Sequence, residues 1–443
     1  MNKLLCSIAA LSVSLYAAAE GYQVNTLSAK QGGMGHTGVA QKLGAESMYF
    51  NPAGLGFMDK TLDLSASVNA ISATAKAKVN DTWYETDNGI STPLMISAAF
   101  NIYDNLKAGI NIYTPYGSSI DWTVNWPGAV LNQSVDLATY TVQPTVAWRI
   151  TPKLSIGAGL MVSWGNVDLN KGLVIPSTLD AMLQGMGSDA RFNNTMPASV
   201  NLTGNADVAY GFNIGAMYDI NKKWTVGVNF RSKMTMKVKA GDAKVSYANE
   251  IARNILEPKL GLINEANFKA EMPMPSVLTF GVSYRPLDAL LLAFDAQLTG
   301  WSTYKTLNIN FLDPAVSSYD QHLVKDYKNA WAFRLGAQYA LTGRLDLRAG
   351  FIVDMAPVNK NYYNPETPGM TKIEPSLGLS FRPLPSLSID LAMLYVAGVG
   401  EKGAKCPYLD LLAGQLGQDP QRTFEADYKV YAFVPSIGVS FSF

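Results

Sequence analysis

Charge is scarce in this chain, and neither sign is in excess. Of 443 residues, 16% are Asp, Glu, Lys or Arg, with 35 basic side chains against 35 acidic ones. Ordinary soluble domains carry about 25%, and a balanced total argues against a nucleic-acid partner. Cysteine is almost missing, with Cys6 near the start and Cys406 near the end. A mature chain with one thiol closes no internal disulfide, so its stability has another source. Histidine is limited to His36 and His322. Without a Ser/His/Asp arrangement or metal-ligand spacing, no catalytic residue, metal site or cofactor is expected. Long hydrophobic runs are also missing: beyond residue 19 no stretch approaches the ~18 apolar residues of a spanning helix.

What is present is apolar and aromatic. Hydrophobic residues make up 48% of the chain, including 22 Tyr, 17 Phe and 8 Trp. Residues 1–19 read as a signal peptide: Lys3, then an apolar run from Leu4 to Leu15, then the small-residue cleavage site Ala17-Ala18-Ala19. An exported, apolar chain without a spanning helix has one remaining way to use such a composition in a membrane. In lipid every backbone polar group needs an internal partner, which leaves a closed β-barrel.

Alternation supports this. Near the C-terminus Tyr431, Phe433, Pro435, Ile437, Val439, Phe441 and Phe443 share one face, with Ala432, Val434, Ser436, Gly438, Ser440 and Ser442 on the other. Leu387–Tyr395, Trp331–Tyr339, Tyr210–Ile220, Trp224–Phe230 and Leu154–Trp164 repeat the pattern. Tight turns at Asp104-Asn105, Thr151-Pro152, Asn221-Lys222, Pro286-Leu287-Asp288, Thr342-Gly343 and Leu384-Pro385 alternate with seven longer stretches. Six turns and seven loops join fourteen strands. The expected fold is therefore all-β, a 14-stranded antiparallel transmembrane barrel over 61–443 with short extracellular loop helices. Short turns face the periplasm and long loops the outside. The ending Ser436-x-Gly438-x-x-Phe441-x-Phe443 resembles the terminal signal read by the barrel-assembly machinery of the bacterial outer membrane.

Residues 20–60 do not alternate. They hold seven glycines between Gly32 and Gly56, too many for a stable helix. A lumen this wide needs filling, and this compact segment is expected to be a hatch that plugs it. Glu20-Gly21-Tyr22-Gln23-Val24-Asn25, then Gly33-Met34-Gly35-His36-Thr37-Gly38, then Asn51-Pro52-Ala53-Gly54 resemble the hatch of the FadL family of outer-membrane long-chain fatty-acid transporters, which includes aromatic-hydrocarbon channels. Tyr113-Thr114-Pro115-Tyr116-Gly117, Trp122 with Trp126-Pro127-Gly128, Pro273-Met274-Pro275, Gly300-Trp301-Ser302 and Lys328-Asn329-Ala330-Trp331 extend the resemblance along the mature chain.

The resemblance implies a monomeric barrel, passive uptake of hydrophobic small molecules, and outer-membrane lipids as surroundings. It also implies a landing groove among the loops, an internal pocket, and lateral exit through a kinked third strand. Leu173, Val174 and Ile175 with Leu179, Met182, Leu183 and Met186, and a second cluster around Ile255, are apolar and helically spaced. They form either the groove or two helices packed on each other. Gly109 is expected as the strand kink, or else as a packing glycine against the hatch. Tyr22 and Val24 are expected near the ligand, and Lys325, Lys328 or His322 to meet a carboxylate. On the fifth strand, where a cation is also expected, Asn166 and Asp168 stand instead. The inward charges Arg231, Asp295, Arg334, Arg348, Glu374 and Asp390 either anchor the hatch or line a polar channel. A general porin, an aromatic-hydrocarbon porin and a surface adhesin or receptor barrel are the competing readings.

Overall fold

The computed structural model describes residues 21–443 except Leu262, so the expected signal peptide lies outside the described residues. Strands follow one another around a closed antiparallel barrel of fourteen staves. Stave 1 is β1 (Leu62–Asn69) continued by β2 (Ser72–Val79), with β3 (Thr82–Glu85) folded back on it. Stave 2 is β4 (Leu94–Tyr103), and stave 3 is β5 (Leu106–Tyr113) continued by β6 (Gly117–Asp121). Staves 4 to 6 are β7 (Ser134–Arg149), β8 (Leu154–Gly172) and β9 (Ala198–Asp219). Stave 7 joins β10 (Trp224–Arg231) to β11 (Met234–Tyr247), and stave 8 joins β12 (Glu265–Met274) to β13 (Val277–Leu287). Stave 9 is β14 (Leu290–Thr299) with β15 (Thr306–Phe311), and stave 10 is β16 (Gln321–Val324) with β17 (Ala330–Ala340). Staves 11 to 13 are β18 (Leu345–Asp354), β19 (Lys372–Leu384) and β20 (Leu387–Gly398). After the extra strand β21 (Glu401–Leu409), stave 14 is β22 (Gln421–Ser442).

Closure comes from β22 pairing with β1, Asp63 opposite Ser442 through Asn69 opposite Ser436. No strand edge is left to face lipid, which hydrocarbon demands of any sheet that crosses it. The expected alternation is visible as burial. Phe433, Ile437 and Val439 are about half exposed, at 52%, 49% and 44%, whereas Val434 and Ser436 between them are buried. Outward aromatics gather toward the strand ends, including stacked pairs such as Tyr140 with Trp164 and Trp224 with Tyr284, in the manner of membrane-interface girdles. No helix among the described residues is long and apolar enough to cross a membrane.

Four stretches expected as loops, near 80–90, 117–135, 312–325 and 399–426, hold strand at β3, β6, β16 and β21. β6 and β21 extend the sheet beyond the lipid belt, where both faces are wet and apolar alternation is not required. Two short helices, α1 (Ala29–Gly32) and α2 (Ser47–Phe50), precede β1, and among the described residues three more ride on the loops: α3 (Pro176–Gly185), α4 (Glu250–Leu260) and α5 (Leu411–Gln415).

Candidate ligand pathway

The residues before β1 are held against the inner wall. Asp295 on stave 9 accepts hydrogen bonds from the backbone N–H of Gly38 (2.7 Å) and Val39 (3.1 Å). Arg231 donates to the Tyr49 carbonyl and lies 3.7 Å from the centre of the Tyr49 ring. Arg334 donates to Gln297 at 2.7 Å and to Asn25 at 3.4 Å. Arg348 bridges Asp390 at 3.3 Å. These inward charges therefore make partners with one another and with the hatch, as buried charges must. Asn51 caps its own turn by accepting from the Ala53 N–H at 3.1 Å. It also donates to the carbonyls of Val39 (2.7 Å) and Ala216 (3.0 Å), tying that turn to stave 6. Pro52, which has no N–H to leave orphaned, opens the short helix Pro52–Phe57, in which Ala53 is fully buried.

The wall makes room for this segment with glycine. In register, Gly157 faces Gly215, Gly227 faces Gly281, and Gly336 faces Gly350. A Cβ at Gly215 would collide with the Asn51 carboxamide, and one at Gly350 with the backbone of Gly35. Gly109 belongs to the same group. Its Cβ would stand 2.7 Å from Met48 Sδ, and Gly109 itself stays in register on both sides, opposite Ala99 and Thr145. The kink expected there lies instead at Thr114–Tyr116, between β5 and β6, where Pro115 supplies no N–H to a ladder. The hatch's first residues occupy that break. Val24 N–H donates to the Pro115 carbonyl at 2.9 Å, and Gly117 N–H to the Tyr22 carbonyl at 2.9 Å.

Inside and above the hatch lies an apolar cavity of about 100 Å³ lined by Tyr22, Leu137, Met236, Val238, Phe268 and Tyr304, among others. Tyr22 stands at its floor in an aromatic cluster, with ring centres 4.9 Å from Trp301, 5.7 Å from Tyr304 and 5.9 Å from Tyr116, and its hydroxyl donates to the Pro273 carbonyl. Val24 does not reach the cavity and packs below it with Leu27, Tyr49 and Tyr113. A second cavity of about 280 Å³ opens among the loops. Leu169, Leu202, Ile309 and Glu366 line both, so the two cavities adjoin in a step between the loops and Tyr22.

The structure separates the expected cations. Lys325 is buried and ion-paired with Glu366. Lys328 is exposed on the rim, outside both cavities. His322 is exposed at the edge of the upper cavity, against Asn308 at 2.9 Å. The cation that does face the upper cavity is Lys171, which sequence reading passed over because it stood at the start of a presumed loop. Its ammonium donates to Gln321 at 3.2 Å and pairs with no carboxylate among the described residues.

Of the two arrangements expected of the loop helices, the structure shows the packed one, while Leu173 and Ile175 line the upper cavity. Leu179 and Leu183 are buried in a cluster with Leu256, Leu260 and Leu412, and Met182 and Ile255 sit half-buried at its edge. None of these four lines either cavity. The helices satisfy their apolar faces on one another and on α5, and the cluster stands behind the upper cavity as its support. Cys406 is a buried free thiol whose pKa burial pushes up to about 11, so it stays a poor nucleophile.

His36 is enclosed by Tyr49 and Phe50, with its Nε2 accepting the Leu27 N–H at 3.2 Å. Burial first, then Arg334 and Arg231, holds its pKa well below the usual 6.5. The sign follows from linkage: the unfolded hatch binds a proton that the folded one refuses. His36 therefore contributes stability that is present above about pH 6.5 and lost as pH falls below it. Glu46, raised by burial, acts in the other sense. Thermal unfolding of the wild type and of His36→Gln between pH 7.5 and 5 should show a steeper acid loss in the wild type, Glu46 being common to both. Parallel curves would contradict this.

A family model described as outer membrane protein transport protein (OMPP1/FadL/TodX) matches residues 10–443. The chain belongs to this family. It is 26% identical over 304 residues to outer membrane protein P1 of Haemophilus influenzae, covering 66% of this chain and 62% of that protein. The chain thus spans under two thirds of the length of this relative. It is 22% identical over 420 residues to a long-chain fatty acid transport protein of Escherichia coli O6:H1, covering 90% and 91% of the two chains. A Pseudomonas aeruginosa FadL homologue superposes with a TM-score of 0.80 at 19% identity, covering 96% of this chain and all of that one, a likeness of fold. Membership in this family places the protein in the outer membrane.

Proposed function

We infer that the chain is a passive outer-membrane channel for hydrophobic molecules, with long-chain fatty acids as the favoured cargo. The stepped apolar passage carries this reading. It begins among the loops, narrows past Leu169 and Leu202, and ends on Tyr22 beside the break in stave 3. Alkyl chains gain about 0.8 kcal/mol per CH₂ on leaving water, so a molecule held there lowers its free energy without any energy input. Release into aqueous periplasm would forfeit that gain. A sideways exit where the wall is already interrupted, at Thr114–Tyr116, avoids the loss.

Lys171 favours an acid over a plain hydrocarbon. Among the described residues it is the cation on the upper cavity that forms no ion pair, and a ligand carboxylate supplies a partner at a charge-assisted hydrogen bond. Lys325 serves in this reading by neutralising Glu366, which would otherwise repel an acid where the two cavities meet.

Two measurements test the proposal. Mass spectrometry of lipids co-purifying with the chain should find long-chain acids. Lys171→Gln should weaken palmitate binding about tenfold in a fluorescence displacement titration while leaving hexadecanol unchanged. Equal weakening of both, or of neither, removes the carboxylate role and returns the hydrocarbon reading.

A further inference from the structure

Staves 7 to 10 are each interrupted at the same height: Ser232–Lys233, Pro275–Ser276, Gly300–Lys305 and Lys325–Asn329. The register aligns these breaks, with Arg231 opposite Val277, Met234 opposite Met274, and Thr299 opposite both Val277 and Ala330. Below the seam the outer face is apolar, carrying Phe280, Leu292, Phe294 and Phe333. Above it, β11 turns Met234, Met236 and Val238 inward to line the cavity and cluster, and Lys237 and Lys239 outward. The outer face there changes abruptly to lysine, threonine and asparagine.

An open groove of about 620 Å³ lies on this outer face, lined by Lys233, Lys237, Lys239 and Lys269 with Thr306, Asn308 and Asn310. One carboxylate, Glu271, lines it, and it is paired with Lys237 at 2.8 Å. Lys239 pairs with Asp207 at 2.6 Å. Lys233 and Lys269 have no carboxylate partner among the described residues. In a chain of zero net charge, four ammonium groups against two carboxylates form a local excess. The other basic stretch above the belt, on staves 1 and 14, is balanced by acids at Glu85, Asp81 and Glu425.

We propose that this groove binds the phosphorylated headgroup of an outer-leaflet lipid whose acyl chains lie on the apolar face directly below. Height, charge and continuity with the lipid belt select this occupant. Lysines immediately beyond the hydrocarbon boundary stand where phosphates of an anionic leaflet concentrate. The two exposed ion pairs are weak in water, so phosphate oxygens can take Lys237 and Lys239 over while Lys233 and Lys269 engage directly. The groove faces away from the lumen, and the assignment does not depend on what the lumen carries.

Native mass spectrometry of the detergent-solubilised full chain, incubated with bisphosphorylated lipid A, reads retention directly. The wild type should retain one lipid, and the variant Lys233→Gln/Lys237→Gln/Lys239→Gln/Lys269→Gln should retain it at least about fivefold less. Lys222→Gln/Lys223→Gln at a tight turn should match the wild type. Should the fourfold variant fail to form a heat-modifiable barrel, Lys233→Gln/Lys269→Gln carries the test. Dephosphorylated lipid A should bind the wild type as weakly as lipid A binds the variant, and inorganic pyrophosphate should not displace lipid A. Equal retention by wild type and variant, equal binding of dephosphorylated lipid, or displacement by pyrophosphate would each overturn the assignment.

Discussion

Asp295→Ala should turn a sealed barrel into a conducting one. The carboxylate is buried and accepts two hatch N–H groups, at Gly38 and Val39. Hydrogen bonds to a charged acceptor contribute about 1.5–3 kcal/mol each, so their joint loss costs the seated hatch roughly 3–6 kcal/mol. At 1.4 kcal/mol per tenfold, the unseated population rises by about two to four orders of magnitude. Arg334, opposite Asp295 in the register, also loses a compensating charge. The barrel wall, closed by its own ladders, should remain folded. Planar-bilayer recording should show long ion-conducting openings in the variant against a quiet wild type, with Asp295→Asn between them because its carbonyl still accepts. A quiet Asp295→Ala channel would mean the hatch is held by its glycine-lined fit alone.

Leu202→Trp should abolish passage without opening or unfolding the barrel. Leu202 is buried where the upper and lower cavities meet, and the narrower of them is only about 100 Å³. An indole there obstructs the step, while overpacking costs a wall residue about 1–3 kcal/mol, which a closed barrel withstands. Uptake of labelled palmitate by expressing cells should fall at least tenfold. Leu335→Trp, a similar enlargement on the lipid-facing side of stave 10, should leave uptake unchanged. Equal uptake in both would place the route outside the stepped passage.

The sequence was most legible where lipid enforces a strict period. Strands such as β8, β17 and β22 alternate because one face meets hydrocarbon and the other the packed lumen, and their positions followed from that alone. Legibility failed where the environment changes along a strand. β11 carries its apolar side chains inward and its lysines outward, the reverse of β10 below the break, so a single parity read across Ser232–Lys233 mistakes the facing of every residue beyond it. Lys171 was missed for a related reason: β8 continues past the belt to Gly172, and only a three-dimensional neighbourhood shows that its end curves over the upper cavity.

Leu179 and Leu183 teach a different limit. Their spacing announced an apolar helical face, and the same spacing serves a groove or a packed core. What decides is a partner supplied by α5, more than two hundred residues away, whose Leu412 is fully buried among them. Gly109 is similar. A glycine in a strand signals close approach or irregularity, and only the position of Met48 tells which. The hatch glycines were readable as a class because so many in one short segment exclude regular structure, but their matching glycines on the wall are scattered around the barrel on separate staves and align only in register.

The central claim is that apolar molecules cross the outer membrane through this lumen. It is tested most directly by uptake of radiolabelled palmitate in cells that lack their own fatty-acid channel and express this chain in heat-modifiable, surface-exposed form. Uptake should be saturable and well above the vector control. Uptake no higher than the control, with the barrel correctly inserted, would contradict it.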